Sequence, residues 1–110
     1  MLQDVFSGFI KLHILYHAAQ APVYGLWLIE ELSHHGYTLS PGTLYPTLHG
    51  LEEQGYLTSH REVIEGRQRR YYVITPTGEA ALSEARRRLK ELVDEVCGDA
   101  GCDAPDARNR

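Results

Sequence analysis

A chain of 110 residues, 43% apolar and 24% charged, is the size of one small globular domain. It has no apolar run near the ~20 residues that a membrane helix needs and no basic, apolar and cleavage segments of a secretory signal, so a cytoplasmic protein without membrane contact is expected. A net charge of -4 argues against a nucleic-acid binder until its distribution is considered: residues 1–56 carry one basic and five acidic side chains, whereas residues 57–75 carry four arginines and two glutamates.

From the N-terminus, Leu2, Val5, Phe6, Phe9, Ile10, Leu12, Leu15, Tyr16 and Ala19 repeat at helical spacing and predict a helix over 2–19. This apolar face is wider than one partner requires, which suggests that something outside its own domain covers the start of the helix. Pro22 suits the first turn of a second helix, in which Leu26, Ile29 and Leu32 recur until Gly36 supplies a left-handed stop. Ser40 is placed to cap a third helix that begins at Pro41, ends at Gly55 and turns Leu44, Leu48 and Leu51 inward. Pro46 removes the hydrogen bond to the Gly42 carbonyl and is expected to kink or loosen the first turn.

From Tyr56 to Ile64 the residues become β-branched and alternating, Glu65-Gly66 supplies a turn, and Gln68 to Thr75 reads as a returning strand. Thr75 then caps a helix starting at Pro76, with Leu82, Ala85, Leu89, Leu92 and Val96 spaced 3, 4, 3, 4 and Gly98 available to stop it. At 1.5 Å per residue this last helix is ~33 Å long, and its apolar stripe needs a partner that the small domain does not supply. Residues 98–110 are small, polar and Pro-containing and are expected to be a disordered tail. Cys97 and Cys102 match neither redox nor zinc spacing and read as free thiols, with a redox or metal switch as the alternative.

The resulting fold class is mainly α with a small β-hairpin, an α+β winged helix-turn-helix over 1–75 followed by a dimerisation helix over 76–97. In that layout the third helix enters the major groove and the hairpin reaches the adjacent backbone. Ser40, Gly42, Thr43, Tyr45 and His49 are the candidate contacts of the recognition helix, small enough at the first positions for the backbone to approach a duplex closely. Arg61, Arg67, Arg69 and Arg70 are the candidate phosphate contacts of the wing, although an exposed hairpin also carries charge merely to avoid edge pairing. No Arg, Asn or Gln stands near the start of the third helix to make strong bidentate base contacts.

The runs LSPGTLYPTLHGLEEQGYL and GRQRRYYVITPTGEAAL resemble the signature of the PadR family of transcriptional regulators. Leu39 to Leu57 resembles that family's recognition helix, Gly66 to Tyr72 its wing, Thr75 to Leu82 the start of its C-terminal helix, and Tyr24-Gly25 the motif that opens its second helix. The likeness extends over residues 8 to about 95, and the length matches the short subgroup with a single dimerising helix. It implies a sequence-specific, double-stranded-DNA-binding homodimer, a repressor of its own or neighbouring genes on an inverted repeat, released by a small apolar or aromatic effector. The implied interface or effector cavity comprises Phe6, Phe9, Leu82, Leu89, Leu92, Val93 and Val96, while Trp27 lies away from it.

An enzyme is not expected, because there is no HExxH, no GxSxG and no Gly-rich phosphate loop. No cofactor or metal is assigned either: His13 and His17 share a helix face, but no acidic or Cys ligand stands near them in sequence, and His34-His35 is adjacent. The rival readings are a winged helix that serves protein contacts, and an activator or modulator of the same fold without effector control.

Overall fold

In the computed structural model, which describes residues 2–98, the elements run α1 (Leu2–Gln20), α2 (Gly25–His34), α3 (Pro41–Glu53), β1 (Leu57–Ile64), β2 (Arg67–Ile74) and α4 (Pro76–Cys97). This is the winged helix-turn-helix expected from the order of patterns. The core forms where the apolar stripes meet: Ile14, Leu15 and Ala18 of α1, Leu28 and Leu32 of α2, and Leu44, Leu48 and Leu51 of α3 are buried together. Leu57 and Tyr72 close it from the hairpin and Leu82 from α4.

The second helix differs from its sequence reading. Pro22 does not open it, because the backbone of Val23 pairs with Tyr72, donating to its carbonyl at 3.0 Å and accepting from its N–H at 2.7 Å. A residue in extended pairing cannot also start a helix, so α2 begins at Gly25. The helix then buries Leu28 and Leu32 and leaves Leu26 66% exposed, so the Leu26, Ile29, Leu32 stripe is displaced by part of a turn. At its far end Gly36 (φ 90°) stops it as expected.

Ser40 has the extended conformation of an N-cap, yet its hydroxyl does not cap; it lies 3.4 Å from the Thr43 hydroxyl. Pro46 sits within an unbroken α3, the Gly42 carbonyl being left without that partner. The hairpin turns at Glu65 and Gly66, both with positive φ (52° and 78°), which is the geometry of a two-residue turn matched to strand twist.

Thr75 does cap α4, accepting from the Gly78 N–H at 3.0 Å and donating to the Gly55 carbonyl at 2.5 Å. Thr75→Ala is therefore expected to lower stability by about 1 kcal/mol, read as a lower urea midpoint at constant m. Only the first turns of α4 pack on the domain, through Gly78 and Leu82. The remainder projects, which raises the radius of gyration to 16.4 Å against roughly 13 Å for a compact chain of this length. Cys97 at its end is disulfide-bonded, which corrects the expectation of a free thiol there; Cys102 and the tail expected to be disordered lie outside the described residues, apart from Gly98.

Candidate nucleic-acid interface and effector crevice

α3 turns its leucines inward, so its other side is open, and Ser40, Gly42, Thr43, Tyr45 and His49 are all exposed there. Close packing against α2 depends on Gly25, where a Cβ would run into the Tyr45 ring, 2.8 Å from Cε1. Tyr45 is thus held by α2 on one side while 43% of its surface faces solvent. His49 meets Glu53 at 2.9 Å, which sets a carboxylate beside this candidate contact.

Cross-strand pairing sorts the wing arginines onto two faces. Arg61 lies opposite Arg70, on the face that carries Leu57 and Tyr72 into the core, whereas Arg67 and Arg69 lie on the other. Two guanidinium groups directly opposed repel each other, so this pair favours an anion between them. Arg70 donates to the Ser59 hydroxyl (2.9 Å), which donates to Glu52 (2.8 Å), a chain that ties the wing to α3. Arg69 lies over the Tyr24 ring, 4.0 Å from its centroid, and donates to the Tyr71 hydroxyl at 3.4 Å, a bond that raises its pKa further. Arg61 and Arg67 are exposed. The sequence reading treated the four arginines alike and missed both the Tyr24 platform and the Glu52 link, which depend on register and packing.

A crevice of about 690 Å³ opens between α1, α2 and α4. Of the residues expected at a dimer interface or effector cavity, Phe9, Leu82 and Leu89 line this crevice within one chain, and Phe6, Leu92, Val93 and Val96 lie outside it. Leu92 (48%), Val93 (40%) and Val96 (71%) form an exposed apolar strip along α4, and Leu2, Val5 and Phe6 another at the start of α1. Trp27 is nearer the crevice than expected, its ring 5.3 Å from that of His17.

The opposite wall is polar. His13 and His17 of α1 face His35, which caps α2, and Glu31 stands among them, 3.5 Å from His17 Nε2 and 3.1 Å from His35 Nε2. Burial, then the neighbouring imidazoles of His35 and His17, lower the His13 pKa, with Glu31 acting in the opposite sense. The sequence signal for this cluster was half present in the i, i+4 pair on α1; the other half lies on a different helix.

An exposed recognition helix beside a basic hairpin, on a three-helix core, defines a winged helix-turn-helix transcriptional regulator. A family model described as the transcriptional regulator PadR-like family matches residues 14–84, and the chain belongs to that family. It is 60% identical over 89 residues to the transcriptional regulator Rv3488 of Mycobacterium tuberculosis, covering 81% of this chain and 83% of that one. Among solved structures it is similar to a PadR family transcriptional regulator from Eggerthella lenta (31% identity, TM-score 0.76, covering 87% of this chain and 85% of that one). A PadR-like transcriptional regulator from Bacillus cereus is similar to the same degree (31%, TM-score 0.72, covering 87% and 91%). No helix among the described residues is long and apolar enough to cross a membrane.

Proposed function

We propose that this PadR-like regulator is a homodimeric repressor that binds an inverted repeat in double-stranded DNA and is released by an effector entering the crevice. The observation that carries this reading is the open face of α3 together with a hairpin wing that bears all four arginines of residues 57–75. Thr43, Tyr45 and His49 meet base edges or phosphates, Ser40 and Gly42 allow close approach, and the wing arginines meet phosphates. Dimerisation is supported by the two exposed apolar strips, one along the outer part of α4 and one at the start of α1, which a symmetry mate would bury. The apolar part of the crevice lining suits a small apolar or aromatic effector.

The test is a fluorescence-anisotropy titration of the purified chain against the duplex upstream of its own gene and a shuffled duplex, at two salt concentrations. Salt-dependent binding with a preference of ~10³ or more for the native duplex is expected. Weak and equal binding to both would favour the second reading, a winged helix for protein contacts, which the net charge of -4 supports.

A further inference from the structure

We propose that the polar wall of the crevice binds one borderline divalent cation of the zinc class per chain, held by His13, His17, His35 and Glu31, and that this ion is an effector. The effector role rests on the DNA-binding reading above; the site itself does not.

Three imidazoles are brought from two helices so that one ligand nitrogen from each lies within 4.8 Å of the others. The His13 and His35 rings are stacked at 4.5 Å. Glu31, one turn before His35, supplies the carboxylate whose absence from the neighbouring sequence argued against a site on α1. His17 Nε2 is buried and has no hydrogen-bond partner, its 3.5 Å approach to Glu31 lacking hydrogen-bond geometry. A buried imidazole nitrogen left unpaired is unfavourable, and a cation among these four groups would satisfy it.

Three nitrogens and one carboxylate oxygen select zinc, cobalt, nickel or copper over magnesium and calcium, which take oxygen ligands. Bonds of ~2.1 Å in a tetrahedron place ligand atoms ~3.4 Å apart, so binding would fix at that spacing three nitrogens that already lie within 4.8 Å of one another. That constraint ties the end of α2 to α1. Since α2 holds Tyr45 through Gly25, and Leu82 and Leu89 of α4 line the same crevice, it fixes the reading helix relative to the projecting helix.

The test begins with the full chain stripped by a chelator and titrated with cobalt chloride, followed by the visible absorption of the bound ion and its loss on adding zinc chloride. One equivalent per chain is expected. His35→Ala and Glu31→Gln should each weaken binding roughly ten-fold or more, while His60→Ala, on the remote β1 strand, should not. His35 and Glu31 are chosen because they are only partly buried, and circular dichroism checks that each variant is folded. Absence of stoichiometric binding, or equal binding by folded His35→Ala and Glu31→Gln, would overturn the site. The DNA titration is then repeated with chelated and zinc-loaded protein; a change of roughly ten-fold that His35→Ala abolishes is expected for a coupling of ordinary size. Stoichiometric binding with identical DNA affinity would overturn the effector role, and no DNA binding in either state would overturn the DNA-binding reading while the cobalt titration still reports on the site.

Discussion

Gly78→Ala is expected to destabilise the fold by about 3 kcal/mol or more, a large fraction of the ~5–15 kcal/mol available to a domain of this kind. A Cβ at this buried position would collide with the Tyr56 carbonyl oxygen and lie 3.0 Å from its carbon and 2.7 Å from Ile74 Cγ1. Neither backbone can retreat freely. Gly78 is held by the Thr75 cap at 3.0 Å, and the Tyr56 carbonyl accepts from the Thr75 N–H at 3.0 Å. Urea denaturation checks the prediction, with Gly50→Ala as the comparison: nothing lies within 4 Å of a Cβ there, so the same change in the last turn of α3 should leave stability unchanged or raise it by up to ~1 kcal/mol. Equal midpoints for the two variants would show that α4 is not pressed on the hairpin root as described.

The second large effect concerns the wing. Arg61→Ala and Arg67→Ala should each reduce affinity about ten-fold or more at moderate salt, the size expected for a charge-assisted hydrogen bond of ~1.5–3 kcal/mol. Both should lower the slope of log affinity against log salt by ~0.9 for each phosphate that is no longer neutralised, and by twice that in a dimer with both wings engaged. The ratio of native to shuffled binding should hardly change, because phosphates carry no sequence information. Arg70→Ala and Arg69→Ala are expected to do more than remove charge, since one frees Ser59 and Glu52 and the other uncovers Tyr24. Anisotropy titrations at several salt concentrations separate these outcomes, and unchanged slopes for Arg61→Ala and Arg67→Ala would place the phosphate-binding groups elsewhere.

Much of this architecture was legible because local patterns and tertiary packing agree. The leucine stripe of α3, the Glu65-Gly66 turn and the Thr75 cap each have one physical solution, and the chain adopts it. The start of α2 was not legible: nothing local tells Pro22 that Val23 will be claimed by Tyr72, forty-nine residues away in sequence. The same holds at the site. The exposed face of α3 follows from periodicity alone, but the separation of the arginines into two faces follows from strand register. Histidines on different helices become neighbours only when α1 and α2 cross. Ser40 is the opposite case, where a favourable local rule predicted a side-chain cap and the hydroxyl turned to Thr43 instead.

The pairing of Val23 with Tyr72 has a mechanical consequence. It anchors the root of the hairpin to the segment between the first two helices, where Leu57 and Tyr72 are also buried, while residues 60–68 are exposed throughout. The hairpin is therefore a cantilever, clamped at one end and compliant at the other, and its compliant end holds Arg61 and Arg67. Such a beam fixes where its tip can reach without fixing the tip's final angle, so surfaces of somewhat different curvature can be met by flexing the outer strands and leaving the core untouched.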